Sequence, residues 1–167
     1  MINLYNLYVN TKEKAGEVLD AYLDEHGITL KDHEIRTLNS FIELCKNNSA
    51  DLTINLDGFH IGYIIPQVSK EFDLLRITKE RVLNIELKSR STLDKIQKQQ
   101  SRNYFYLQSL NLEISIFTYV ENENRIYKYD NGKSVKVSFD EFWSELIKSS
   151  NEAPCNNIAN LSNPKST

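Results

Sequence analysis

Glu71-Phe72-Asp73-Leu74-Leu75-Arg76, a short charged turn, and then Asn84-Ile85-Glu86-Leu87-Lys88 form the stretch on which the fold depends. Both halves read as strands, Glu71 to Thr78 and Arg81 to Lys88, joined around Lys79-Glu80. Strand side chains alternate between faces, so Glu86 and Lys88 point one way and Ile85 and Leu87 the other. Pairing the two strands as a hairpin brings Asp73 beside Glu86. Two carboxylates and a lysine at the mouth of a sheet suit metal-dependent phosphodiester hydrolysis. The carboxylates hold a hard divalent cation, and the ammonium supports the attacking water or the developing negative charge.

Before this hairpin the chain reads as helical. Thr11 to about Glu25 carries Ala15, Val18, Leu19 and Tyr22 at helical spacing, and Lys31 to Lys46 carries Ile35, Leu38, Phe41, Ile42 and Cys45. Met1 to Val9 fits a strand or a helix start. Ile54 to Ile65 is strand-rich, interrupted by Asp57-Gly58 as a hairpin-type turn and closed by Pro66. After the hairpin, Ser91 to Leu110 forms a long helix, with Ser91 and Asp94 as a box-like cap. Glu113 to Val120 is an apolar strand. Arg125 to Tyr129 and Ser134 to Val137 make a second hairpin across Asp130-Asn131-Gly132. Ser138 to Glu141 caps a last helix bearing Phe142, Trp143, Leu146 and Ile147. The order is α, β, β, β, α, β with an added C-terminal hairpin and helix, an α/β fold with a mixed central sheet flanked by helices.

A length of 167 residues, with 40% hydrophobic and 26% charged, suits one globular domain with a proper core. That domain spans residues 1–149. From 150 to 167 the chain is rich in Asn, Ser and Pro and reads as a disordered tail or a linker to a partner domain. The net charge of −3 does not mark a nucleic-acid binder. The segment from Lys79 to Arg102 is nevertheless locally basic, an excess that a solvated surface also explains. Cys45 and Cys155 form neither a metal pattern nor a disulfide framework. No apolar run reaches the length of a membrane span and no signal peptide opens the chain, so a cytoplasmic location is expected.

Two polar residues stand out against apolar stripes. On the long helix, Leu93, Ile96, Gln100, Tyr104 and Leu107 share a face, with Lys95, Lys98 and Arg102 opposite. An inward glutamine must find partners, since an unsatisfied buried amide costs roughly 1–3 kcal/mol. Gln100 therefore reaches a metal site or substrate, or it bonds nearby backbone, or the helix edge is wet. Glu34 lies in line with Leu38, Phe41 and Cys45. It is either an extra acidic group near the metal or a charge favoured at a helix start. Glu71 shares a face with Asp73 and is a third carboxylate or an edge-strand charge. His26, His33 and His60 show no zinc-type spacing.

These residues together resemble the PD-(D/E)XK nuclease superfamily, the restriction-endonuclease-like fold. Asp73 matches its hairpin acid, Glu86-Leu87-Lys88 its (D/E)-x-K triplet, and Gln100 to Tyr104 the Gln-x-x-x-Tyr helix of RecB-type members. Glu34 matches the helical glutamate common ahead of the sheet. The likeness covers roughly Lys31 to Val120. It departs in having Pro66 far from Asp73, no clear counterpart to the RecB-type histidine (His60 is a faint one) and no iron–sulfur cysteines.

The resemblance implies an αβββαβ core and a Mg²⁺- or Mn²⁺-dependent deoxyribonuclease, an endonuclease by preference. The metal would be held by Asp73, Glu86 and the Leu87 carbonyl, with Glu34 as a further candidate. Lys88 would orient water, and Gln100 would position the lysine or phosphate. Arg90, Lys95, Lys98, Arg102 and Tyr104 would contact nucleic acid, DNA by preference, through its backbone. It further implies a link to a helicase or ATPase domain in DNA repair or antiviral (antiphage) defence, with homo-oligomers compatible. Two other readings stay open. One is a catalytically inactive nuclease-fold module for nucleic-acid binding or assembly. The other is an unrelated α/β module in which Glu86 and Lys88 are ordinary strand charges.

Overall fold

The computed structural model describes residues 1–65 and 69–155. Four helices come first: α1 (Leu4–Glu13), α2 (Gly16–Glu25), α3 (Asp32–Asn48) and the single turn α4 (Leu52–Asn55). Strands β1 (His60–Ile65), β2 (Lys70–Ile77) and β3 (Arg81–Lys88) follow, then α5 (Leu93–Leu107) and β4 (Glu113–Val120). Strands β5 (Arg125–Asp130) and β6 (Lys133–Val137) and helix α6 (Phe139–Ser150) complete the chain. The strands form one six-stranded sheet in sequential order. All neighbours are antiparallel except β3 and β4, which run parallel across the α5 crossover. The result is an α/β protein with a mixed sheet and the expected α, β, β, β, α, β order from α3 to β4. Among the described residues no helix is long and apolar enough to cross a membrane.

The sheet separates two cores. On one face Leu74, Leu83, Ile85, Phe117 and Tyr119 pack against α1, α3 and α6 through Leu4, Leu38, Phe41, Ile42 and Phe142. On the other face α5 covers Phe72, Leu75, Ile77, Val82 and Ile116 with Leu107. The β1–β2 hairpin changes faces partway. Ile61 and Leu74, opposite each other, belong to the first core, whereas Tyr63 and Phe72, also opposite each other, belong to the second. Residues two apart on a regular strand share a face. Gly62, at φ +59°, and Asp73 lie between these pairs, and there the hairpin rolls over. Only a left-handed backbone at Gly62 allows it without a steric penalty.

Several sequence expectations are corrected. The helix expected over Thr11 to Glu25 is two helices, broken at Lys14 and Ala15, both extended, before Gly16 at φ +56°. Val18, placed on its apolar stripe, is 61% exposed, while Leu23 is buried. Asp57-Gly58 makes no hairpin. α4 precedes it, and Leu56 and Phe59 are fully buried beneath the N-terminus, where Ile2 bridges Phe59. The long helix is capped by Thr92 rather than Ser91, its hydroxyl accepting from the Lys95 amide at 3.3 Å. Pro66 lies outside the described residues. Residues 150–155, expected in a disordered tail, are bonded to the domain: the Lys79 amide donates to the Ala153 carbonyl and the Cys155 amide to the Ile77 carbonyl, both at 3.0 Å. Glu152 pairs with Arg81 at 2.6 Å. Residues 156–167 lie outside the described part. Both cysteines are free.

One buried cation ties the layers together. The Arg76 guanidinium sits on the Phe59 ring, 4.2 Å from its centre. It donates to the carbonyls of Asn55, Asp57 and Leu146 and to the Ser149 hydroxyl. It thus fastens α4, the following turn and the end of α6 to β2. Burial lowers its pKa to about 10.

Candidate active site

The β2–β3 ladder runs from Ile77 opposite Val82 to Leu74 opposite Ile85. One step further, side chains replace backbone partners. The Asp73 amide donates to Glu86 Oε2 at 2.8 Å, and the Leu87 amide donates to Asp73 Oδ2 at 2.8 Å. Each carboxylate therefore holds a main-chain donor on the opposite strand. This reciprocal pair forms where the β1–β2 hairpin rolls over, so the roll supplies the opening and the carboxylates fill it.

Glu86 is only 1% exposed. Beside the Asp73 amide it accepts from Asn84 Nδ2 at 3.4 Å, Gln99 Nε2 at 3.1 Å and Asn103 Nδ2 at 3.2 Å. Four donors occupy the roughly four lone-pair positions of a carboxylate. Burial pushes its pKa up to about 7, and the neighbouring Asp73 charge pushes the same way. The Asp73 carboxyl is also raised, first by burial and then by Glu34, against the pull of the Leu87 amide, Lys88 and Lys70. Two buried acids this close disfavour double ionisation unless positive charge is added.

Asp73, but not Glu86, opens onto a pocket of about 290 Å³ between α3 and the sheet, lined also by His33, Glu34, Glu71, Lys88 and Arg90. Glu34 has both attributes the sequence left open. It reaches back to the Lys31 amide at 3.4 Å, a helix-start contact, and it lines the pocket with Asp73. Glu71 packs toward Gly62, where a Cβ would stand 3.3 Å from its Oε1. Lys88 enters the pocket although Glu86, two residues earlier, lies beneath the α5 side. Among the described residues no three His, Cys, Asp or Glu side chains converge as a metal cluster.

Gln100 is not at the carboxylates. It is fully buried and donates to Thr118 Oγ1 and the Tyr127 carbonyl, each at 3.1 Å, while its oxygen accepts from the Ser134 hydroxyl. It fastens α5 to β4, β5 and β6, which corrects its expected role. Tyr104 packs against Tyr129 with the rings tilted and their centres 5.3 Å apart, also away from the site. The helix does send a polar pair to Glu86, Gln99 and Asn103, with the same four-residue spacing one position earlier.

Of the basic residues, Arg90 lines the pocket. Lys98 is bound to Asp94 at 3.0 Å on the exposed side of α5. Lys95 and Arg102 are exposed. Lys70, which no sequence pattern singles out, is half-buried with its Nζ 5.3 Å from the Phe72 ring centre. Burial lowers its pKa, and the charges of Glu86, Arg102, Asp73 and Lys88 all act on it. A lysine opening a strand carries no signal of its own, and only the fold places it here. Comparison of the chain with protein-family models, curated proteins and solved structures finds no match.

Proposed function

We propose that this chain is a restriction-endonuclease-like nuclease that hydrolyses phosphodiester bonds, in DNA by preference, with Mg²⁺ or Mn²⁺. The reading is carried by the placement of Asp73 and Glu86 across the opening of the β2–β3 ladder, with Lys88 in the adjoining pocket. Asp73 and Glu34, both lining the pocket, offer a hard cation oxygen ligands, with Glu34 near enough to act on the Asp73 charge, whereas Glu86 joins them only by releasing one of its four donors. The raised proton affinity of both acids is what such a set has before positive charge reaches it.

Asp73 and Glu34 would hold the metal from the pocket, and Glu86 with the Leu87 carbonyl would complete the set once a donor to Glu86 is released. When bound, it supplies charge stabilisation at the phosphoryl oxygens and favours deprotonation of water. Asp73 accepts from the Leu87 amide with Oδ2 and lines the pocket, where its carboxylate would orient water. Lys88 donates from its ammonium to the attacking water or to a phosphoryl oxygen, where negative charge builds. Arg90, at the rim, binds a flanking phosphate. Gln99 and Asn103, rather than Gln100, fix the Glu86 carboxylate. On this reading the partner is a helicase- or ATPase-type domain or subunit in repair or antiphage defence.

Plasmid and single-stranded DNA incubated with Mg²⁺ or Mn²⁺ test this. Cutting that Lys88→Ala lowers by at least about a hundredfold is the expected result. A folded wild type that cuts neither substrate in either metal would falsify it. The four donors saturating Glu86 favour a second reading, an inactive nuclease-fold module in which both acids serve the hairpin. Salt-sensitive binding without cutting selects that one.

A further inference from the structure

We propose that the flank of α5 beside β2 seats an unpaired nucleic-acid strand, with phosphates on Lys70 and Arg102 and a base stacked on Phe105. The proposal rests on the nuclease-fold reading for the class of ligand, and on the surface for the rest. At ~100° per residue, Arg102 lies ~60° around α5 from Gln99, and Phe105 lies ~60° beyond it. Gln99 is fixed by its bond to Glu86 at 3.1 Å. Lys95, ~40° from Gln99 on the Arg102 side, extends the same flank by two turns. Tyr106 and Tyr63 both pack on the apolar cluster that contains Phe72, which sets this side of α5 toward the β1–β2 hairpin where Lys70 begins β2.

Lys70 and Arg102 form no salt bridge among the described residues, although acidic groups are abundant in the chain. Lys70 is half-buried with its Nζ 5.3 Å from the Phe72 ring centre, and the Glu86 and Asp73 charges offset part of the repulsion it feels from Arg102 and Lys88, leaving its ammonium to receive a phosphate. Phe105 is 70% exposed, the most exposed of the large hydrophobic residues described, and Arg102 lies about one turn before it on α5. Cations that track a backbone beside an open aromatic face are how single strands are held without base reading. A duplex keeps its bases stacked on one another and offers Phe105 no face.

Fluorescence anisotropy of a labelled oligothymidylate and of a hairpin duplex, with EDTA to prevent cutting, tests the proposal. The single strand is expected to bind at least about tenfold tighter than the duplex. Phe105→Ala should weaken single-strand binding about fivefold or more without changing the salt slope. Lys70→Gln with Arg102→Gln should reduce that slope by about 1.4, at ~0.7 for each phosphate no longer neutralised. Circular dichroism with a matching melting temperature certifies each variant, and Lys70→Met serves if Lys70→Gln misfolds. Variants that bind like wild type, tighter duplex binding, or no binding by wild type overturn the proposal. Binding that obeys these variants without any cutting retains it and removes the nuclease reading. Cutting indifferent to all three substitutions does the reverse.

Discussion

At the scale of single residues, Glu86 decides most. Its carboxyl is held near pKa 7 by burial and by Asp73, against a reference of 4.5. Between those values the folded state binds a proton that the unfolded state has released. Stability is therefore full at low pH and falls as pH rises through about 7, by up to about 3 kcal/mol. Melting the chain in EDTA from pH 5 to 8 should trace that fall, Glu86→Gln should leave only the smaller part owed to Asp73, and on the proposed metal-binding reading saturating Mg²⁺ should flatten it in the wild type. The two glutamines of α5 should separate cleanly. Gln100→Ala strands Thr118, Ser134 and the Tyr127 carbonyl and should cost about 2–3 kcal/mol in urea unfolding. Gln99→Ala removes one donor from Glu86 near the surface and should stay within about 1 kcal/mol of wild type while changing the metal dependence of cutting. The sequence singled out Asp73, Glu86 and Lys88 because they fall on the polar positions of two alternating strands that pair as a hairpin. It missed by one residue on α5. Asn103 is fully buried, and asparagine does not mark an apolar stripe, so the face toward Glu86 could not be phased.

Elements were legible where periodicity was long and punctuated. The β2–β3 hairpin, α3, α5, β4 and the Asp130-Asn131-Gly132 turn all stand where the pattern put them. The break between α1 and α2 was hidden because apolar spacing continues through Lys14 and Ala15, and Gly16 alone betrays it. α4 was hidden by shortness: Leu52 to Phe59 alternates like a strand, yet Leu56 and Phe59 are called inward by α1. The roll of the β1–β2 hairpin left only one trace, a glycine in an apolar run, and it is testable. Gly62→Ala places a Cβ 3.3 Å from Glu71 Oε1 at φ +59° and should cost roughly 1–2 kcal/mol. Adding Glu71→Ala should return the steric part and leave the backbone part, which a thermal-shift comparison of the two variants measures.

For the molecule as a whole, the α/β class, the mixed sheet and the strand sequence follow from counting elements. Which layer each helix joins does not. That depends on long-range partners such as Arg76, whose burial no local pattern announces. Arg76→Leu leaves three carbonyls and the Ser149 hydroxyl without their donor and should lower stability by about 3 kcal/mol or more, read as a shift of the urea midpoint. The same joint has a consequence for the order of synthesis. Its acceptors come from residues near 55 and from residues near 146 to 149, so a growing chain leaving the ribosome carries β2 with its guanidinium half-engaged until α6 emerges. The joint around β2 is locked last, and the final turn of α6 acts as the latch.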